Sequence, residues 1–410
     1  MRTDVWCAVA LAMLPACAHA VLEPYWVGAS QGLRAEDNLY RVPEGRPATR
    51  DLVSSTRLFG GVDQRLSRWQ LLADANVQAD RFRNESRLDN TGGGLHFNLK
   101  GETVERLSGG IEYSAVRNLA SFDTAVDTLS LRLRNIETAQ QFVARAQLGA
   151  VAPWLASLVY THRDLAYSAE AFAARENRQD SVSLGAVWGP AAPRSVGLSL
   201  RLTDGRYPCG IRGAGGVCAA DTFERSDVDL TFSLGVTGAS TTSARLSYTR
   251  QSYDSASQRD HTGFTGSLQW AWRATGKTSV NLAVNHDTGS ESSFYGFTSS
   301  SATVTGDSSR LSTSVDLDVR HALTGKLALS MALGYDDRQL RNGVVGGGQT
   351  LSTDRGDEEQ LAAVLGLRWA ATRTVDTGCS WQQTRRRATG TLSYPYRAQV
   401  ASCDLRLTLR

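Results

Sequence analysis

The stretch WQLLADANVQAD, residues 69–80, alternates apolar and polar side chains at eleven of its twelve positions, with Leu72 the one misfit. Successive side chains of a β-strand point to opposite faces, so a segment of this kind has one apolar and one polar surface. A helix would need a period near 3.6, which is sustained nowhere at useful length in this chain. The alternation recurs to the C-terminus. Leu107, Gly109, Ile111, Tyr113 and Ala115 alternate with small and polar residues, as do Val228, Leu230, Phe232 and Leu234. Leu327, Leu329, Met331, Leu333 and Tyr335 continue the series, and Leu405, Leu407 and Leu409 close it. Such a chain is all-β. The two surfaces meet either a core and solvent, or lipid and a water-filled lumen.

The N-terminus bears on that choice. Arg2 is followed by an apolar run from Val5 to Pro15 and by Ala18-His19-Ala20, the form of a signal peptide with an A-x-A cleavage site. Residues 1–20 are therefore expected to be removed, leaving 21–410 as one barrel domain. The run is too short for the roughly 20 residues of a membrane helix. Cys17 after Leu14-Pro15-Ala16 offers a lipoprotein box as the rival reading. No later stretch is apolar enough for a membrane helix, and no linker divides the chain. The net charge of +3 is too small to point to nucleic acid.

Connections alternate in length. Those at 64–68, 101–106, 151–153, 190–193, 238–241, 273–276, 320–325 and 371–374 are short. Those at 35–51, 120–138, 166–179, 205–224, 289–306 and 338–357 are longer and polar. Short periplasmic turns alternating with long outer loops is the pattern of a transmembrane outer-membrane antiparallel β-barrel. Strand starts near 22, 52, 69, 91, 107, 140, 154, 180, 194, 225, 242, 261, 277, 307, 326, 358, 375 and 398 give about 18 strands, with 16 as the alternative count. Leu129, Leu131 and Leu133 form either a further strand or an extension of the next one. A repeated Thr-Gly-Lys (275–277 and 324–326) marks equivalent turns, in which Gly276 and Gly325 are expected to supply positive φ.

On this register Trp26, Trp69 and Trp154 open up-going strands, while Trp188, Trp270, Trp272 and Trp369 close down-going ones. Tyr113, Tyr160, Tyr248 and Tyr335 fall near the outer ends. Two aromatic belts of this kind mark the two membrane interfaces, and a soluble sandwich has no reason to sort Trp from Tyr by strand end. The chain is thus placed in the outer membrane of a Gram-negative bacterium, among lipid and lipopolysaccharide.

The polar face supplies the lumen candidates: Gln70, Asp74, Asn76, Gln78, Lys100, Glu112, Arg145, Arg201, Asp229, Arg245, Asn281, Asp316, Asp318 and Arg368. They suit either a hydrated channel or a self-satisfied salt-bridge network. No ring of one sign stands out, so strong ion selectivity does not follow. His96 belongs to the lumen face, whereas His162 and His286 belong to the lipid face. No Ser-His-acid set, metal-ligand set or cofactor motif is legible. A lipid- or glycan-modifying barrel enzyme remains an alternative because residues distant in sequence can meet across strands. Two cysteine pairs suit an oxidising compartment. Cys209 and Cys218 bracket a glycine-rich loop, and Cys379 and Cys403 fall opposite each other when the hairpin is folded about residue 391. In the 288–306 loop, Phe294, Tyr295 and Phe297 among serines and threonines suit stacking on sugar rings.

The segments GASQGLRAEDNLYRVPEG (28–45), SAVRNLASF (114–122), GLSLRLTDGRYP (197–208) and TRQSYDSASQRDHTGFTGSLQWAWRATGKTSVNL (249–282) resemble the EpsL-type outer-membrane barrels of exopolysaccharide biosynthesis operons, within the putative beta-barrel porin 2 group. The resemblance runs from about 22 to 410. It implies a porin-like, non-enzymatic barrel in the export or surface organisation of an exopolysaccharide. The polysaccharide, its secretion proteins and the barrel-assembly machinery are the partners so implied. A non-conducting structural or glycan-binding barrel is the alternative. Two features depart from the family pattern. The chain ends in Leu409-Arg410 rather than an aromatic residue, and the cysteine pairs are additional.

Overall fold

The structure is a computed structural model. It describes residues 24–410 apart from 104–105, 123–131, 150–152, 191, 213–217, 256, 293–309, 347–348 and 391. Eighteen strands follow one another: β1 (Tyr25–Glu36), β2 (Asp51–Leu66), β3 (Trp69–Phe82), β4 (Asn90–Glu102), β5 (Leu107–Leu119), β6 (Ile136–Leu148), β7 (Trp154–Tyr167), β8 (Asn177–Trp188) and β9 (Arg194–Arg212); then β10 (Cys218–Thr237), β11 (Ser240–Tyr253), β12 (His261–Trp272), β13 (Thr278–Asp287), β14 (Leu311–Ala322), β15 (Leu327–Gly346), β16 (Gln349–Ala370), β17 (Val375–Gly390) and β18 (Tyr396–Leu409). Each pairs antiparallel with its neighbours in sequence. β1 also pairs with β18, Val27 opposite Leu409, so the sheet closes without an edge. Closure satisfies every strand's backbone groups internally, the condition for a sheet to cross hydrocarbon. The strand count expected from the alternation is the one observed.

Directly paired residues share a face, so the register sorts the wall. Val280, Val319, Met331, Leu365, Trp381 and Ala401 form one lateral row across β13 to β18. That face is apolar and exposed: Leu184, Val236 and Phe264 each keep 64% of their surface. Burying such a band in lipid is what holds a barrel of this type in the membrane. Trp69, Trp154, Trp188, Trp272 and Trp369 are exposed on the same face, each beside a short turn. Trp270 stacks on Trp272 at 5.5 Å. Trp26 departs from this belt. Its neighbours Tyr25 and Val27 are the exposed, outward residues of β1, which turns Trp26 to the inner face.

Buried apolar side chains gather at the outer end. Leu39, Tyr40 and Val42 of the β1–β2 connection pack on Val53, Phe82 and Leu88. Phe172 of the β7–β8 connection packs on Val116, Ala139 and Leu165. Tyr207, Phe223 and Tyr253 form a third cluster, with the Arg259 guanidinium 4.4 Å from one tyrosine ring and 4.6 Å from another.

Three readings of the connections change. The 205–224 and 338–357 segments are mostly strand, because β9–β10 and β15–β16 keep pairing well past their neighbours. Gly276 and Gly325 are not among the residues with positive φ. Their turns are closed by threonine: Thr275 Oγ1 accepts from the backbone N–H of Lys277 and Thr278, and Thr324 Oγ1 from those of Lys326 and Leu327. Thr372 repeats the device at Thr374 and Val375. A hydroxyl that mimics a backbone acceptor removes the need for a left-handed glycine. Leu133 lies outside any strand, while Leu129, Leu131 and the expected leader lie outside the described residues.

Candidate functional site: the lumen wall and its inward segment

The fourteen lumen candidates all lie on the face opposite the apolar band, since each is flanked along its strand by outward residues and paired across strands with inward ones. They do not form one site. Gln70, Lys100, Glu112 and Arg145 line a polar recess of about 320 Å³ near the periplasmic end. A larger recess, about 420 Å³, lies on the lipid face between Trp69, Leu99, Ile111 and Leu158 and has almost no polar lining. Asp74 meets His96 Nδ1 at 3.2 Å, and Gln78 accepts from Arg57 Nε at 2.8 Å. Asn76 stands opposite Phe59. Asn281 pairs with Asp318 across strands; both are exposed on the inner face, as is Asp316. Arg368 bridges Asp376 and Asp404, the latter at 3.5 Å.

Arg201, Asp229 and Arg245 belong to a denser assembly. Arg225, fully buried, donates to both carboxylate oxygens of Asp227 at 2.8–2.9 Å, to Asp287 at 2.7 Å and to Thr288 Oγ1 at 2.7 Å. Arg245 reaches Asp287 at 2.9 Å and Asp229 at 3.5 Å. Arg201 lies 3.2 Å from Asp227 and 3.6 Å from Asp229. The chain leaving β13 turns into the barrel here, through the short helix α1 (Gly289–Ser292). Glu291, 4% exposed, accepts from Arg163 of β7 at 3.0 Å and from Arg201 of β9 at 3.3 Å. Gln179 of β8 donates to the Ser290 carbonyl at 2.7 Å, and Gln251 of β11 to Ser290 Oγ at 3.3 Å.

Four arginines (163, 201, 225, 245) thus face four carboxylates (227, 229, 287, 291). Burial alone would raise the Glu291 carboxyl, but Arg163, Arg201 and Arg225 outweigh it and hold it well below the usual carboxylate range. The knot fixes a segment read from sequence as the start of an outer loop; its first residues are instead buried inside the wall. The aromatic residues 294, 295 and 297 of that loop lie outside the described residues. Sequence reasoning missed Arg163, Arg225, Asp227, Asp287 and Glu291. The first four carry the inward alternation phase of their strands, a signal that was available. Glu291 carries none.

Both cysteine pairs are disulfides. Cys209–Cys218 crosses the extended β9–β10 hairpin, and Cys379–Cys403 joins directly opposed residues of β17 and β18 on the lipid face, their Cα atoms 4.0 Å apart. Among the described residues no histidine hydrogen-bonds a serine hydroxyl, and no group of His, Cys, Asp or Glu could hold a metal.

No curated protein matches the sequence. The fold resembles outer membrane protein opdK from Pseudomonas aeruginosa, with 11% identity, 94% of this chain and 99% of that one covered, and a TM-score of 0.46. It also resembles a BenF-like porin from Pseudomonas fluorescens Pf-5, with 10% identity, coverage of 95% and 100%, and a TM-score of 0.47. Residues 228–408 match the family described as Putative beta-barrel porin 2, and the closed, lipid-banded sheet makes this chain a β-barrel of the Gram-negative outer membrane, porin-like in fold.

Proposed function

We propose that the barrel is a hydrophilic passage through which an exopolysaccharide crosses, or is organised at, the outer membrane. One observation carries the reading. Asn281, Asp316 and Asp318 point inward and remain water-exposed, so the wall from β13 to β14 faces a hydrated space rather than a packed interior. Carboxylates and amides there can exchange water for sugar hydroxyls at little cost, since both are hydrogen-bond partners of similar strength. An 18-stranded barrel is wide enough for such a space. The polysaccharide itself comes from the resemblance of residues 28–45, 114–122, 197–208 and 249–282 to the EpsL-type barrels. No covalent step is involved.

The buried charge knot favours a second reading, a closed barrel that holds glycan or assembly partners by its outer loops. Conductance separates the two. Purified protein in planar bilayers is expected to give steady channels, and a silent barrel would favour the closed reading. A clean deletion, scored for secreted against periplasmic polysaccharide, tests the polymer assignment; unchanged secretion would remove it.

A further inference from the structure

Trp26 and Phe59 are large aromatic side chains on the inner face, apart from the buried aromatic clusters at its outer end. Each lies against a glycine on the neighbouring strand. Trp26 is paired with Gly61, and Phe59 with Gly28. A Cβ on Gly61 would fall 2.3 Å from Trp26 Cζ2, and one on Gly28 would fall 2.3 Å from Phe59 Cζ. Both rings therefore rest on bare backbone, held against the wall rather than projecting from it, and both stay only partly buried. Covering glycine backbone explains one ring face. It does not explain why two large aromatic side chains stand, only partly buried, on the inner wall near its periplasmic mouth, where the remaining rim tryptophans face lipid.

We propose that Trp26 and Phe59 form a stacking subsite for sugar rings at the periplasmic mouth, a placement that rests on the passage reading above. The C–H face of a pyranose packs on an aromatic face, and its hydroxyls need planar acceptors and donors at the ring edge. Those groups are present: Asp74 follows Gly61 in the same lateral row as Trp26, and Asn76 stands opposite Phe59. The Arg406 guanidinium lies over the Phe59 ring, 5.5 Å from its centre, where it gives a uronate carboxylate a partner. The ligand class is a pyranose oligosaccharide, neutral or uronic.

The test uses the full-length barrel with maltohexaose and a hexameric oligogalacturonate as probes. Single-channel recordings read the residence time of each probe as current interruptions, and calorimetry on detergent-solubilised protein reads binding whether or not the barrel conducts. Trp26→Ala and Phe59→Ala are each expected to shorten residence and weaken binding roughly three- to tenfold. Trp26→Tyr, which keeps an aromatic face, is expected to stay near wild type and guards against a folding defect in Trp26→Ala. Equal binding in wild type and both alanine variants, or no binding of either probe, overturns the subsite. A conducting barrel with such indifferent variants leaves the passage reading standing. A silent barrel that loses binding in Trp26→Ala keeps the subsite and removes the passage.

Discussion

Glu291 places a negative charge almost out of reach of water, where only its arginine partners keep it ionised. Removing one member of a buried ion pair costs about 3–5 kcal/mol because the survivors lose their compensation. Glu291→Gln is therefore expected to free the inward segment and raise single-channel conductance. The pH dependence has a definite sign. The folded carboxyl titrates below its unfolded value, about 4.3 for a free glutamate, so its stabilisation is complete above that value and is lost only as pH falls through the lower folded one. Wild-type conductance should stay level from pH 8 to pH 5 and rise only in stronger acid; a rise between pH 7 and pH 5 would exclude this lock. Arg225→Met strands Asp227 and Asp287 without their shared cation. It should lower unfolding stability in urea by about 3–5 kcal/mol.

Strands are the most legible elements of this chain because each prints its own faces locally. The period of two fixes which residues point together, and a slip of one residue would turn every apolar side chain of a strand inward. That is why the opposition of Cys379 and Cys403 could be found by folding a hairpin about residue 391, and why the inward set came out on one face. Connections are less legible because their structure depends on distant partners. The β9–β10 and β15–β16 hairpins continue through polar, glycine-rich sequence on ladder pairing, joined in the first by the Cys209–Cys218 bridge. The inward turn after β13 depends on arginines from β7 and β9, more than 80 residues away. The three threonine turns can be checked one at a time. Thr324→Val removes the acceptor of two backbone N–H groups and should cost about 1–2 kcal/mol in urea unfolding, whereas Gly325→Ala should be tolerated, since that glycine has no positive φ and open space where a Cβ would stand.

Across the whole molecule, packing is uneven. The outer end holds the aromatic clusters and the charge knot, and the periplasmic half of the inner wall holds exposed polar groups. A cylinder built this way should be stiffer at the outer end. Hydrogen exchange followed by mass spectrometry in micelles is expected to show slower exchange for amides of β9–β11 beside the knot than for those of β14 near Asp318; equal protection would contradict that gradient. The lipid-facing cystine between the last two strands has a consequence for the order of biogenesis. Its sulfurs lie beside Leu367 and Leu33, within the apolar band. Thiolate exchange is ionic chemistry and stalls in hydrocarbon. The bond must therefore be made while the C-terminal hairpin is still in the periplasm, before the strand that seals the cylinder reaches β1. Once the cylinder is sealed in lipid, neither a reductase nor an isomerase can revise it, so the pairing carries a lasting record of an early moment in the protein's assembly.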